Sequence, residues 1–426
     1  MRQITGVLIG AGARGRFVYG AYANKYPDKL KIVAVAEPDE ERRMLAAAEH
    51  GLLDSELFES WEQLLVRPRM ADIAIVATQD RMHFHPTVRA MELGYDVLLE
   101  KPMSPSEDEV IAMIEASRKY GRLLTVCHVL RYTPFWSSIK QLIESDAIGE
   151  VVSVQLSENV GYYHIAHSFV RGNWSRAKET SPMILQKSCH DMDILAWLID
   201  EPCTKVSSYG SLKHFRIEKA PEGSTERCLD GCAVERECPY SAIRIYEEAE
   251  TTDWTRFITH DLTPHGVREA IRTGPFGRCV YRCNNDVVDH QIVNMEFESG
   301  TTASFTMSGF SHDISRTVQI MGTRGEIRGC MEKKDIKLYR FGKEPEVISI
   351  ADEEGGHGGG DEGLMRSFLK QVRSHGNDAR PALTSAEVSM QSHLMAFAAE
   401  KSRLAGGKSI ALTAQLISNQ LLNSIG

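Results

Sequence analysis

The glycine turn Gly10-Ala11-Gly12-Ala13-Arg14-Gly15 constrains the fold of this chain more than any other feature. It follows an apolar run, Ile4 to Ile9, and opens a helix-like stretch that extends to about Lys25. A second apolar run, Lys31 to Ala36, comes next, so the three segments predict a β-α-β unit. Glycines at these spacings allow a tight bend, close approach of the backbone to a pyrophosphate, and packing of the helix against the strand. The free amides of the first helical turn favour phosphate binding there.

An acidic residue completes the nucleotide pattern. Glu37 ends the second apolar run, 22 residues after Gly15. A carboxylate at this position accepts hydrogen bonds from the ribose hydroxyls and repels a 2′-phosphate, which favours NAD over NADP. Arg42 and Arg43 lie nearby, so NADP stays as the less favoured alternative. The residues that we expect to contact the cofactor here are Gly10, Gly12, Ala13, Arg14, Gly15 and Glu37.

The alternation of strands and helices continues to about residue 130. Its further segments are a strand at Ala71 to Ala77, a helix at His85 to Leu93, a strand at Asp96 to Leu99, a helix at Ser106 to Tyr120 and a strand at Leu123 to Cys127. Strands that alternate with helices predict a doubly wound parallel sheet. We therefore expect a Rossmann domain over residues 1–130.

Residues 131–426 have a different pattern. Apolar and polar residues alternate over Val151 to Leu156, Gln291 to Phe297 and Thr302 to Met307, which indicates antiparallel strands with one covered face. We expect an α+β domain with a large, mostly antiparallel open sheet, a Cys-rich insertion at about 211–288, and a role in substrate binding and oligomerisation. An open sheet with an exposed face favours a homodimer or homotetramer.

Charge and composition exclude several classes of protein. The chain has 426 residues and a formal net charge of -9, and it shows no basic patch of the kind that nucleic-acid binding needs. No apolar run reaches the roughly 18 residues of a membrane span, and no signal-peptide pattern precedes the first strand. We therefore expect a cytoplasmic protein with neither a nucleic-acid nor a membrane partner.

Short motifs at the ends of two later strands are similar to those of a known family. Ala77-Thr78-Gln79-Asp80 is followed by His83, and Leu99 leads into Glu100-Lys101-Pro102. With the glycine turn, these segments resemble the Gfo/Idh/MocA family of NAD(P)-dependent oxidoreductases over nearly the whole chain, although Gln79 stands where proline is usual. The resemblance implies that Lys101 reaches both nicotinamide and substrate. It also implies that Glu100 positions Lys101, and that Glu100, Thr78, His83 and Arg131 lie at the cofactor. Arg131 is equally consistent with a salt bridge between domains.

The family's second signature is only partly present. His190 and Asp193 match it, whereas Gln186 replaces its first acidic residue. If the stretch is helical, Gln186, Lys187, His190 and Asp193 share one face. His190 then suits the role of base, Lys101 stabilises the alkoxide, and Lys187 adds a cation or acts as the base itself. Asp193 either orients His190 or lies on the helix surface, and a core role for His190 is the structural alternative.

Aromatic and histidine side chains precede this signature. Tyr162, Tyr163, His164, His167 and Trp174 form a polar-aromatic run. Such rings stack on sugars or pack in a core, so the run has two interpretations. The substrate contacts that we expect are Lys101, Tyr163, His164, Trp174, Lys187 and His190. His357 and Asp361, around a glycine loop, are weaker candidates.

Five of the nine cysteines are clustered. They are Cys228, Cys232, Cys238, Cys279 and Cys283. Thiolates bind zinc or iron-sulfur clusters in fours, and Cys228, Cys232, Cys238 and Cys279 are the candidate ligands of a structural metal centre. The spacing is not a standard metal motif, so a disulfide or reduced thiols remain as alternatives.

Three functions are compatible with these residues. The first is hydride transfer between NAD and a secondary alcohol of a sugar, inositol or related polyol. The second is an NAD-dependent glycoside hydrolase that uses transient oxidation and elimination, as in some members of the family that the chain resembles. The third is a non-catalytic regulator that binds NAD and a sugar, which Lys101 and His190 argue against and Gln186 keeps open.

Overall fold

The computed structural model describes residues 2–248, 254–350, 355–374 and 382–412. Its first sheet has six parallel strands in the order β3-β2-β1-β4-β5-β6. The strands are β1 Ile4–Ile9, β2 Leu30–Ala36, β3 Leu57–Phe58, β4 Ile73–Val76, β5 Asp96–Leu99 and β6 Leu124–Val126. The helices between them are α1 Ala21–Lys25, α2 Glu40–His50, α3 Trp61–Leu65, α4 Phe84–Glu92 and α5 Glu107–Tyr120. The predicted doubly wound parallel sheet is confirmed.

Burial on both faces explains why this sheet is parallel. All residues of β4 and β5 are buried, as expected where helices cover both faces of a sheet. A π-helical turn, Gly15–Gly20, precedes α1 and places the helix start directly after the glycine turn. The edge strand β3, only two residues long, is a strand that the sequence pattern does not reveal.

The second sheet has nine strands in the order β14-β13-β12-β11-β7-β10-β9-β8-β15. The strands are β7 Val151–Asn159, β8 Cys203–Ser211, β9 His290–Phe297, β10 Thr302–Ser308, β11 Ser315–Gly322, β12 Gly325–Cys330, β13 Asp335–Arg340, β14 Glu346–Ile348 and β15 Ile410–Ala411. Only the β10 and β7 pair is parallel; the other pairs are antiparallel. The predicted mostly antiparallel sheet is confirmed.

Eight helices accompany this sheet in the described residues. They are α6 Pro134–Glu144, α7 Tyr162–His164, α8 Met183–Gln186, α9 Cys189–Ile199, α10 Ala242–Tyr246, α11 Pro264–Thr273, α12 Gly360–Ser374 and α13 Ala386–Leu404. Strand β9 alternates buried and exposed residues, with Val293, Met295 and Phe297 in the core. The opposite face of the sheet carries exposed apolar side chains. In the parts of the chain that are described, no helix combines the length and hydropathy that crossing a bilayer requires.

The last two helices link the two sheets. Leu364, Met365 and Phe368 of α12 pack in the same core as Ile4 and Leu8 of β1. Helix α13 contributes residues to the cores of both sheets. The carboxyl-terminal part of the chain therefore packs against the Rossmann sheet and brings residues 355–361 to the glycine turn. The boundary at residues 130 and 131 stays a prediction.

Candidate active site

The glycine turn has room for a ligand on one side only. Gly10 has φ +93°, and a Cβ there would lie 2.5 Å from the carbonyl oxygen of Ala77. A Cβ on Gly15 would overlap the carbonyl oxygen of Gly10, so both glycines are required for packing. A Cβ on Gly12 would meet nothing within 4 Å. The open side at Gly12 fits the approach of a pyrophosphate to the backbone.

Glu37 lies at this turn, as the sequence predicts. Its buried Oε2 accepts a hydrogen bond of 2.7 Å from the amide of Ala11. Its Oε1 lies 2.9 Å from the Arg42 guanidinium, and Arg43 donates to the Glu37 carbonyl oxygen. Both arginines that favour NADP are therefore bonded to Glu37 itself.

The Arg14 guanidinium faces carboxylates. It lies 2.5 Å from Glu100 Oε1 and 2.8 Å from Asp361 Oδ1, and it also donates to the Tyr19 hydroxyl. Burial alone would raise the pKa of Glu100, but Arg14 outweighs it and holds that pKa below its usual value. The Arg14 side chain therefore anchors Glu100, while its backbone remains in the nucleotide turn.

Lys101 follows β5 and points toward the second domain. Its Nζ donates a hydrogen bond of 2.7 Å to the carbonyl oxygen of Gln186, at the end of α8. The Lys101–Pro102 peptide bond is cis. His83 fixes the same loop, because its ring nitrogens lie 2.7 Å from Pro102 O and 3.1 Å from Thr78 O. His83 and Thr78 thus hold the backbone beside Lys101.

His190 lies in the first turn of α9, close to Lys101. The side chain is buried, and its Nδ1 has no hydrogen-bond partner in the described part of the chain. The rings of His128 and His357 lie 5.8 and 5.9 Å away, centroid to centroid. Burial first, and then the positive charge of Lys101, lower the pKa of His190 well below its usual value. The imidazole is therefore neutral at physiological pH.

Asp193 contacts Arg131. Two oxygens of its carboxylate lie 2.7 Å from Nε and Nη2 of Arg131, and both side chains are buried. Arg131 also donates to the carbonyl oxygen of Leu383, before α13. The nearest histidine nitrogen is Nδ1 of His128, 3.8 Å away. Arg131 therefore forms a buried salt bridge within the second domain, and its contact with the cofactor stays a prediction. Asp193 is buried, not on the helix surface, and makes no hydrogen bond to His190 in the described residues.

Lys187 belongs to a buried network of four charges. Its Nζ lies 3.0 Å from Glu158 Oε1, and Glu158 Oε2 lies 2.7 Å from Arg316 Nε. Arg316 also pairs with Asp191 at 2.9 Å. Burial lowers the pKa of Lys187 and raises the pKa of Asp191 to about 7. Since α8 ends at Gln186 and α9 begins at Cys189, the single helical face expected for residues 186–193 is not formed.

The aromatic run borders this network. Tyr163 and His164 are in α7 and only partly exposed, and the His164 ring lies 4.8 Å from that of Trp254. Burial, followed by Lys187, lowers the pKa of His164 well below its usual value. The Trp174 indole donates to Asp80 Oδ1, 3.4 Å away at the end of β4. Trp174 therefore connects the second domain to the Rossmann edge.

Sequence reasoning missed several residues of this site. They are Tyr19, His128, Glu158, Asp191, Arg316 and His393. The network carboxylate of Glu158 and the guanidinium of Arg316 lie on adjacent strands, β7 and β11, at paired positions. The sequence does not show that these two charged residues are buried as a pair, because their pairing depends on the register of β7 and β11. Asp191 could have been predicted as a site residue, because it directly follows His190 in the sequence.

The clustered cysteines lie apart from Lys101. Four of them, Cys228, Cys232, Cys238 and Cys279, line one cavity of about 20 Å³. These four and Cys283 are all free thiols. The Arg171 guanidinium lies 3.8 Å from Cys228 Sγ. Over the described ranges, no three side chains of His, Cys, Asp or Glu are placed to hold a metal ion. The metal centre stays a prediction that elemental analysis can test.

Two family models match the chain. Residues 4–128 match an oxidoreductase family with an NAD-binding Rossmann fold, and residues 140–408 match the C-terminal alpha/beta domain of the same family. The chain is 27% identical to the oxidoreductase YteT of Bacillus subtilis over 72% of this chain and 73% of that protein. It is 28% identical to inositol 2-dehydrogenase 4 of Saccharopolyspora erythraea, over 53% of this chain and 62% of that enzyme.

Solved structures share the whole fold. A levoglucosan dehydrogenase in complex with NADH and L-sorbose has a TM-score of 0.71 at 17% identity, over 97% of this chain and all of that one. The aldose-aldose oxidoreductase of Caulobacter crescentus, complexed with glycerol, has a TM-score of 0.67 at 15% identity, over 96% of this chain and all of that one. Together with both family models, these matches show that the chain belongs to the Gfo/Idh/MocA family, oxidoreductases with an NAD-binding Rossmann domain.

Proposed function

We propose that this protein transfers a hydride between NAD and a secondary alcohol of a sugar, inositol or related polyol. One observation carries the proposal: Lys101, at the carboxyl edge of the parallel sheet, is hydrogen-bonded to the turn that leads into His190. Ligands of open α/β sheets bind at this edge. A fixed cation and a neutral imidazole meet where the nicotinamide end of a dinucleotide is expected.

The nucleotide turn supports NAD as the cofactor. Gly12 leaves open space beside the backbone amides, and Glu37 places a carboxylate at the turn. We propose that Glu37 accepts hydrogen bonds from the ribose hydroxyls and disfavours a 2′-phosphate. Because Arg42 is already bonded to Glu37, it is a poor partner for that phosphate.

Each residue has a distinct part in the chemistry. The glycine turn and Glu37 would hold NAD, which would supply the acceptor for the hydride of the carbinol carbon. His190 takes the hydroxyl proton, because its Nδ1 has no other hydrogen-bond partner among the described residues. Lys101 stabilises the negative charge that develops on the oxygen. The role of Lys187 is to hold the site in shape through Glu158, since its ammonium is already paired.

The aromatic residues supply the walls of the substrate site in this proposal. Tyr163 and His164 approach from α7, and Trp174 approaches from the segment that reaches Asp80. Aromatic faces next to polar groups suit the apolar ring face and the hydroxyls of a sugar. These positions support a carbohydrate or polyol as the substrate.

The outer face of the nine-stranded sheet supports a homodimer or homotetramer. Tyr209 of β8 and Ile292 of β9 are paired across adjacent strands and expose apolar side chains there. Exposed apolar side chains that lie side by side on a sheet face favour association of identical chains. Light scattering should give the mass of a dimer or tetramer, and Ile292→Lys should shift it toward the monomer. A monomer at micromolar concentration would contradict this assembly.

The activity is tested with a panel of free sugars, inositols and alditols and NAD⁺, by following NADH absorbance. At least one alcohol should give NADH in a 1:1 ratio with product. Lys101→Met keeps the length of the side chain and should lower kcat by about 10²–10³-fold with little change in NAD affinity. Lys140→Met is the matched control, because Lys140 also donates to a backbone carbonyl, that of Trp197, but lies on α6. Equal turnover of Lys101→Met and the unaltered protein would remove Lys101 from the chemistry.

A further inference from the structure

The glycine-rich segment before α12 presents a histidine to the site. Residues 355–360 read Gly-Gly-His-Gly-Gly-Gly, and His357 has φ +51° and ψ +40°, a left-handed conformation that is rare outside glycine. Strained backbone of this kind persists only where the surroundings fix it, and it is concentrated at functional sites. The left-handed backbone of His357 therefore indicates that its side-chain position is fixed by its surroundings.

Asp361 fixes the orientation of the His357 ring. His357 Nδ1 donates to Asp361 Oδ2 at 3.0 Å. Asp361 is itself held by Arg14, 2.8 Å away, and a Cβ at Gly356 would overlap its carboxylate. Burial would raise the pKa of Asp361, but Arg14 and His357 outweigh it and keep the carboxylate ionised. With Nδ1 engaged, Nε2 is the nitrogen that is left to exchange protons.

His357 also lies between the buried base and solvent. Its ring centroid is 5.9 Å from that of His190, whereas 38% of its side chain is exposed. His190 itself is only 5% exposed. This ring separation is compatible with proton transfer between the two imidazoles across one water molecule.

A buried base must release its proton in each turnover. We propose that His357, held by Asp361, carries the proton from His190 to solvent; this inference rests on the proposed function. The hydroxyl proton passes to His190, a proton passes from His190 to His357, and His357 releases it to water. The step involves proton transfers only, so it needs no additional oxidant or reductant.

The charges around His357 favour fast release. The groups that face it are Asp361 on α12, Arg14 in the nucleotide turn, Arg316 on β11 and His190 on α9. Burial lowers the pKa of His357, Asp361 opposes this effect, and the two arginines add to it. The net direction is downward, so the ring gives up its proton readily near neutral pH.

The first test compares His357→Gln with a matched control. Glutamine keeps a polar side chain but cannot carry a proton. His290→Gln is the control. The His290 side chain is 40% exposed, about as much as that of His357, and its Nδ1 likewise lies close to a buried aspartate, 2.7 Å from Asp289. We expect kcat of His357→Gln to fall by about 10–10²-fold, with KM nearly unchanged and with recovery on addition of imidazole. The control should keep full activity, and a loss that imidazole does not reverse would overturn the relay.

A second test needs no substrate. NMR titration of ¹³C-labelled histidine rings should show that His357→Gln raises the pKa of His190, because a like-charged neighbour is removed. The His290→Gln control should leave that pKa unchanged. If His190 titrates identically in all three proteins, the two imidazoles are not coupled and the relay is wrong. If no alcohol is oxidised by the unaltered protein, the proposed function fails, and this titration still decides the coupling.

Discussion

Replacing Asp193 tests whether this residue supports the fold or orients the base. Its carboxylate is 1% exposed and makes two hydrogen bonds of 2.7 Å to Arg131, which is 3% exposed. Asp193→Ala removes both bonds and leaves a buried guanidinium bonded only to backbone carbonyl oxygens in the described residues, those of Leu383 and of residue 193 itself. Loss of one partner of a buried ion pair costs about 3–5 kcal/mol. We expect the free energy of unfolding to fall by that amount.

The matched control is a surface ion pair of similar geometry. Glu247 lies 2.9 and 3.0 Å from the Arg268 guanidinium through its two oxygens, but the Arg268 side chain is 48% exposed. Glu247→Ala should cost about 1 kcal/mol or less, because exposed pairs are screened by water. Urea denaturation of the three proteins measures both losses. If Asp193→Ala costs no more than the control but shifts the pKa of His190, then Asp193 orients the base and our interpretation is wrong.

Three further predictions concern other parts of the molecule. Calorimetry should show tighter binding of NAD⁺ than of NADP⁺, and Glu37→Ser should narrow the difference; equal affinities in the unaltered protein would contradict the role of Glu37. Burial lowers the pKa of His393 to about 3, against about 6.5 when unfolded, so its contribution to stability is present above pH 6.5 and is lost as the pH falls toward 3, at up to about 1.4 kcal/mol per pH unit. Urea denaturation at pH 7 and pH 5 should therefore show a smaller acid-induced loss in His393→Gln than in the unaltered protein. Elemental analysis should find about one zinc, or iron with sulfide, per chain if the cysteines bind metal, and Cys228→Ser should reduce that content; a metal-free protein leaves reduced thiols.

Local signals in the sequence were sufficient for the fold. The turn from Gly10 to Gly15, the apolar strand β4 and the apolar residues Val97 to Leu99 of β5 predict a parallel sheet, because each signal depends on neighbouring residues only. Lys101 and His190 were identified through short motifs that resemble those of the family, and their roles stay proposals. Their proximity, through the Gln186 carbonyl, is a finding of the structure.

The partners of these residues could not be predicted from sequence. Asp193 and Lys187 stand near His190 in the chain, yet each pairs with a residue brought in by tertiary packing, Arg131 and Glu158. The break between α8 and α9 also removes the helical face on which the sequence argument depended. Spacing along one helix cannot reveal charges on a sheet that packs against it.

The central claim is that Lys101 and His190 serve the direct transfer of hydride from an alcohol carbon to NAD. Mass spectrometry of the cofactor after reaction with a polyol deuterated at its carbinol carbons measures this transfer. We predict one deuterium per NADH formed, one NADH per ketone product, and no exchange with solvent. If glycosides alone react, with catalytic NAD⁺ and release of the aglycone, and if the sugar ring takes up deuterium when the reaction is run in D₂O, the protein is a hydrolase and the claim is contradicted.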